Sequence, residues 1–198
     1  GFRLAVHYLS LKTPVSEPTA VIIPSRSLSE LNRMLAEQEE PVEVTLNQAR
    51  SQVLFRLKDV EMVSQLIQGS FPNYQQLIPQ NRTTRTVVNV ADFLRATKTA
   101  SIFARDGSGI VRLQMASGKM AVSARAETVG DNVGEIDAQV EGEEAKIAFN
   151  GKYLMDVLSV LEEEKVALET TSPSSPGVLR PLGSENYVHV VMPMFVQW

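Results

Sequence analysis

The sequence contains no cysteine, which excludes disulfides and thiolate metal sites. Its only two histidines, His7 and His189, lie in runs of strand character with no serine or carboxylate motif beside them, so histidine-centred acid–base chemistry has no visible partners. There is no P-loop, G-x-G-x-x-G turn, G-x-S-x-G elbow or His-Glu-x-x-His helix motif. Asp106-Gly107-Ser108-Gly109 begins like a calcium loop, but the later acidic ligands are not at the required positions. The acidic clusters at 141–144 and 162–164 lack histidine or aspartate companions. No catalytic residue, metal or cofactor is therefore expected. Apolar runs fall short of the roughly 20 residues of a membrane-spanning helix, and the N-terminus lacks the basic-then-apolar order of a signal peptide. The expectation is a cytoplasmic protein with no membrane partner. Gly1 in place of an initiator methionine reads as a chain processed or cut at that end.

What is present is enough apolar residue, 43% of 198, to bury a substantial core. The net charge of −4 argues against coating DNA through overall charge. Three segments share one order of elements, strand, amphipathic helix, then three strands, and this repetition predicts an α+β fold. The first runs through a strand at 19–24, a helix at 27–37 and strands at 42–46, 50–57 and 60–67. The next has a strand at 86–90, a helix at 91–105 and strands at 109–115, 119–127 and 133–140. The last has a strand at 145–149, a helix at 150–161 and strands at 166–170, 178–182 and 187–192. Helical spacing predicts buried stripes at Leu28, Leu31 and Leu35, at Phe93, Ala96 and Ala100, and at Leu154, Val157, Leu158 and Leu161. Ser27 with Glu30 fits a capping box, and Asn150 fits an N-cap. Residues 69–84, with two prolines in a polar stretch, form the expected boundary.

Four short motifs occur in order: Gly1-Phe2-Arg3-Leu4-Ala5, Gly69-Ser-Phe-Pro-Asn-Tyr-Gln-Gln-Leu-Ile-Pro79, Phe149-Asn-Gly-Lys-Tyr-Leu-Met-Asp-Val-Leu158, and Val190-Val-Met-Pro-Met194. Together they span the chain and resemble the bacterial DNA polymerase III β subunit, the DNA sliding clamp family. The resemblance implies a DNA-clamp fold, with repeated β-α-β-β-β modules and helices on one face of curved antiparallel sheets. Residues 1–80 would be the second half of a middle domain plus its linker, and 81–198 a complete C-terminal domain. It also implies a processivity factor with no catalysis of its own. As a full-length homodimeric ring it encircles duplex DNA without reading sequence, and holds the replicative polymerase and clamp loader by linear peptide motifs. A chain lacking the first domain is expected to be monomeric. The rival reading is a stand-alone peptide-binding or scaffold module with no DNA role.

By position, the family's peptide pocket falls on Gly1, Phe2, Arg3, Leu4, Pro72, Gln76, Leu77, Asn150, Tyr153, Pro176, Val190, Val191, Met192, Pro193 and Met194. Flexible methionine with amide and phenol groups at the rim suits short apolar peptides. The chain departs from the family pattern at Phe2, where histidine is common, and in the longer aromatic ending Phe195-Val196-Gln197-Trp198. The DNA-facing set is Arg26 and Arg33 on the first helix and Arg95, Lys98 and Arg105 on the second, with Lys152 on the third. Spacings of three and seven give the first two sets one face each. The resemblance places a dimer contact at Ile102 and Phe103.

Overall fold

The computed structural model describes residues 2–104, 109–128 and 130–198; the expectations for Gly1, Arg105 and the turn at 106–108 lie outside them. In chain order the elements are β1 (Arg3–His7), α1 (Ser25–Met34), β2 (Glu43–Leu46), β3 (Gln52–Arg56), β4 (Glu61–Gln65), β5 (Thr84–Asn89) and α2 (Val90–Ile102). There follow β6 (Ile110–Ala116), β7 (Lys119–Ala126), β8 (Gly130–Gly142), β9 (Ala145–Asn150), α3 (Gly151–Leu158), β10 (Lys165–Thr170), β11 (Gly177–Pro181) and β12 (Tyr187–Val191). The chain packs as two units, a smaller one of Leu11–Asn73 and a larger one of residues 2–10 with 74–198. β1, which the sequence groups with residues 1–80, thus completes the sheet of the larger unit by pairing with β12.

In the smaller unit, the antiparallel sheet β2-β3-β4 lays alternate residues Val53 and Phe55 against Leu31 of α1, with Val21 and Ile23 packed beside them. Two local expectations fail here. Residues 19–24 form no strand and meet the sheet only through a bridge between Ile22 and Ile67, because Pro24 ends the run and its carbonyl already serves the next helix. Nor does α1 start at a capping box: Pro24 stands at the N-cap position, and its carbonyl accepts from the Ser27 and Leu28 N–H groups at 3.0 and 3.2 Å. The Ser64 hydroxyl instead donates to the Ser27 oxygen at 2.7 Å. Leu28, expected in the buried stripe, is 44% exposed.

The larger unit is one antiparallel sheet in the order β1-β12-β11-β10-β5-β8-β7-β6-β9. β8 changes partner along its length, pairing with β7 over residues 130–137 and with β5 over 138–142. Both helices start from an asparagine at a strand end: the Asn89 side chain accepts from the Asp92 N–H at 3.2 Å and that of Asn150 from the Lys152 N–H at 2.9 Å. α2 buries Val90, Phe93, Thr97 and Ala100, and α3 buries Gly151, Leu154, Val157 and Leu158. At Gly151 a Cβ would stand 2.5 Å from Ser101 Oγ and 2.8 Å from Val111 Cγ2, so only glycine lets α3 begin this close to α2. The two helices share one core on one side of the sheet, and the opposite side is left for another use.

Candidate functional site

The register of β1 against β12 sets Leu4 opposite Val190 and Arg3 opposite Val191. Because side chains alternate across a sheet, these pairs point to opposite sides. On the helix-distal side Leu4 and Val6 pack with Val178, Val188, Val190 and Ile78. Phe2 lies on that same side by alternation, and its carbonyl accepts from the Met192 N–H at 2.8 Å. On this side Phe2 is 66% and Met192 41% exposed, and Leu77, 57% exposed, immediately precedes Ile78 of the cluster, so open apolar surface adjoins a buried apolar base. Gln76 is exposed in the 3-10 turn Tyr74–Leu77 that leads to Ile78, and half-buried Pro176 immediately precedes β11. Pro193 and Met194 are half-buried, and the Met194 N–H donates to the Ala148 carbonyl of β9 at 2.7 Å. That bond carries the chain away from the patch and leaves Phe2 and Leu4 uncovered by it. Pro72 is exposed within the smaller unit.

The other pocket residues named from sequence sit on the helix side. Val191 is fully buried in the main core, where it supports the sheet and cannot touch a ligand. The Arg3 guanidinium reaches Asp156 of α3 at 2.5 Å and lies over the Tyr153 ring, 4.6 Å from its centroid. Lys152 Nζ meets the same carboxylate at 3.2 Å. Arg3's hydrogen bond holds the Asp156 carboxyl below the usual carboxylate range; Lys152 adds to the effect and partial burial opposes it. Asn150 spends its side-chain oxygen on the cap of α3. These groups brace β1 against α3 and so hold the strand that carries Phe2 and Leu4.

Beneath them His189 is 6% exposed, and its Nδ1 stands 3.1 Å from the Tyr187 hydroxyl. Its Nε2 has no hydrogen-bond partner among the described residues. Burial, and then the Arg3 charge, lower its pKa from 6.5 to about 4, with Asp156 acting in the opposite sense. A depressed folded-state pKa means that stability is whole above pH 6.5 and is lost as pH falls toward 4. The shift corresponds to about 3 kcal/mol. Urea midpoints at pH 7 and pH 4 for the parent and His189→Gln check this: the parent should lose about 3 kcal/mol more between the two.

Of the cations expected to face DNA, Arg26 and Lys98 are exposed and make no ion pair among the described residues. Arg33 pairs with Glu30 at 3.0 Å, Arg95 with Asp92 at 2.7 Å and Lys152 with Asp156. Such exposed pairs within one helix are worth about 0.3–0.5 kcal/mol and leave the cations available. Ile102, at the end of α2, is 52% exposed, whereas Phe103 is half-buried against the core. Beside α2, residues 130–137 of β8 pair only with β7, and Val133 is 64% exposed on this edge. Sequence reading did not single out that edge, because only the change of partner along β8 reveals it. It also missed Glu169, which binds Arg82, Arg85 and Arg180 in a cleft of about 630 Å3. Those residues are far apart in sequence, and with Glu141 on Arg85 their charges are largely matched internally.

Residues 1–73 match the family model for the DNA polymerase III beta subunit, central domain, and residues 75–195 the model for its C-terminal domain. The Beta sliding clamp of Staphylococcus aureus is 33% identical over 194 residues, which is 97% of this chain and 51% of that relative. The chain spans about half the length of the curated relatives it matches. The crystal structure of the DNA polymerase sliding clamp from Bacillus subtilis superposes with a TM-score of 0.91 at 34% identity, covering 99% of this chain and 52% of that one. The DNA polymerase III subunit beta from Pseudomonas aeruginosa gives a TM-score of 0.90 at 27% identity, covering 98% and 53%.

Proposed function

This chain belongs to the DNA polymerase III β-subunit family, and from that premise we propose that it is the part of a DNA sliding clamp that receives the polymerase. Residues 1–80 would serve as the second half of the middle domain with its linker, and 81–198 as the C-terminal domain. Its occupants are short linear peptides from a replicative polymerase, a clamp loader and other cytoplasmic replication partners, bound one at a time. The observation that carries this is the helix-distal patch of Phe2, Leu4, Val190 and Met192. Its base is packed and its rim is open, which is the form expected of a site for leucine or aromatic anchors. Holding on is the whole activity: a closed ring on DNA replaces dissociation by sliding and keeps the tethered enzyme at high local concentration. The test is titration with a fluorescent Gln-Leu-x-Leu-Phe peptide. Saturable binding is expected, and its absence up to millimolar peptide would remove the reading.

For DNA we propose that α2 and α3 face the duplex. Support comes from Arg95 and Lys98, exposed on the helix side, set against the exposed acids Asp131, Glu135 and Asp137 along β8. Such cations meet phosphates without reading bases. In a full-length clamp carrying these residues, Arg95→Glu with Lys98→Glu should lower loading onto nicked circular DNA at least about tenfold, and peptide affinity should stay within about twofold. A stand-alone peptide module would lose neither. For ring closure, the open edge of β8 with Val133 and Ile102 offers backbone hydrogen bonds and apolar contact to a second subunit.

A further inference from the structure

The two units repeat one local device. In the larger unit the chain leaves β12 and the Met194 N–H donates to the Ala148 carbonyl of β9 at 2.7 Å; in the smaller unit it leaves β4 and the Ile67 N–H donates to the Ile22 carbonyl at 2.9 Å. Ile22 precedes α1 as β9 precedes α3. Beside this second bond the smaller unit has a hollow of its own, about 300 Å3, with Val21, Ile22, Leu66, Ile67 and Phe71 in its walls. Ile67 is 53% and Phe71 60% exposed. Arg50 is the one charged residue of the lining, and it makes no ion pair among the described residues.

Arg50 stands in the turn between β2 and β3 with φ at +49°, the only non-glycine residue among the described ones in the left-handed region. An L side chain is disfavoured there and glycine is not. The turn is pinned on every side. The Arg50 N–H donates to the Asn47 carbonyl at 2.9 Å, and the Asn47 side-chain oxygen accepts from the Ser51 and Gln52 N–H groups at 2.8 and 3.0 Å. Gln68, itself in the lining, donates its side-chain amide to the Arg50 carbonyl at 3.4 Å. Glycine would make the same turn without strain, so what arginine adds is a cation held beside open apolar walls.

We propose that the Arg50–Ile67 hollow of the smaller unit is a separate docking site, which takes an apolar side chain and the carboxylate next to it from a linear peptide of a partner protein. The apolar walls seat the anchor, and the unpaired guanidinium selects the carboxylate, which it can hold by two parallel hydrogen bonds. Because the turn is already pinned, little ordering is left for binding to cost. The corresponding turn of the larger unit, Ser172-Pro173-Ser174-Ser175, carries no charged residue, so this preference belongs to the smaller unit alone. The site does not depend on the Phe2–Leu4 patch.

The experiment uses the whole chain and a labelled, C-terminally amidated Gly-Leu-Phe-Glu-Gly peptide beside its Gly-Leu-Phe-Gln-Gly counterpart. Anisotropy is read at low salt, with unlabelled Gln-Leu-x-Leu-Phe peptide in excess to occupy the patch. The glutamate peptide should bind saturably and about tenfold tighter than the glutamine one, and the gap should narrow as salt rises. Arg50→Gly should close the gap while the urea midpoint stays level or rises, since the turn is relieved of its strain. An arginine with a merely structural role would not move affinity and stability apart in this way. Ile67→Asp should abolish binding of both peptides. The variant Phe2→Asp with Leu77→Asp should bind the glutamate peptide as the parent does, whether or not the Gln-Leu-x-Leu-Phe peptide binds the parent, so failure of the patch reading and failure of this one are told apart. Absent binding, equal affinity for the two peptides, a gap that survives Arg50→Gly, or loss of binding in the patch variant would overturn the proposal. So would self-association of the chain that Ile67→Asp abolishes, because a second copy would then be the occupant.

Discussion

Replacing Phe2 and Leu77 together by aspartate should weaken binding of a Gln-Leu-x-Leu-Phe peptide by at least about 100-fold, close to 3 kcal/mol. Both side chains are more than half exposed, so the folded protein tolerates polar atoms there and its urea midpoint should scarcely move. In a complex the new carboxylates would be desolvated against apolar anchors with no cation to pair them, and an unpaired buried charge costs more than lost contact area. The free protein keeps them hydrated, so the whole penalty appears on binding. Arg3 cannot compensate, because it points to the other side of the sheet and is engaged with Asp156 and Tyr153. Anisotropy titration of the double variant beside each single one measures the loss. Affinity within threefold of the parent would place the peptide elsewhere on the molecule.

The second large effect is on stability and centres on Phe149. Its ring is fully buried in the core between sheet and helices, and Phe149→Ala should cost about 3–5 kcal/mol, much of the 5–15 kcal/mol typical of a domain. Gly177 explains how the ring is seated. A Cβ there would stand 2.4 Å from Phe149 Cζ, 3.1 Å from Cε1 and 3.4 Å from Leu168 Cδ1. Gly177→Ala should therefore cost about 1–3 kcal/mol by overpacking. With the ring removed, the added methyl has room and fills part of the cavity. The double variant Phe149→Ala with Gly177→Ala should thus be clearly more stable than the sum of the single losses predicts. Urea unfolding of all four proteins tests the coupling. Strict additivity would mean that the two positions relax independently.

Gly177 pairs with Val191 in β12, so this seat also fixes the strand beneath the candidate site. Loss of packing at Phe149 should be felt as weaker peptide binding even where the protein remains folded.

Much of this was legible in the chain. The stripe of Leu154, Val157 and Leu158 specifies a half-buried helix because i, i+3 and i+4 share a side at 3.6 residues per turn, and the asparagine at 150 fixes its start. Alternation in Val53 and Phe55 specifies which side of β3 is buried. These are local properties of neighbouring residues, and the short motifs that carry the family are local too. At α1 the helix already begins at Ser25, so Ser27 lies inside its first turn and not at the cap, and the Ser27 hydroxyl oxygen accepts from Ser64, 37 positions away.

What the sequence by itself determined is therefore the α+β class, most of the elements, the apolar stripes of α2 and α3, and the motifs that identify the family. Only the tertiary structure decided which side of the sheet each site residue occupies. Arg3 and Leu4 are adjacent in sequence, yet pairing with β12 sends one to brace α3 and the other to the open patch. The same long-range pairing left residues 130–137 of β8 as an edge and turned the Phe195–Trp198 segment toward β9. The physical reason is that a strand's register and its partner are set by hydrogen bonds to residues far along the chain. A local pattern can say that side chains alternate, but not which of the two sides will be covered.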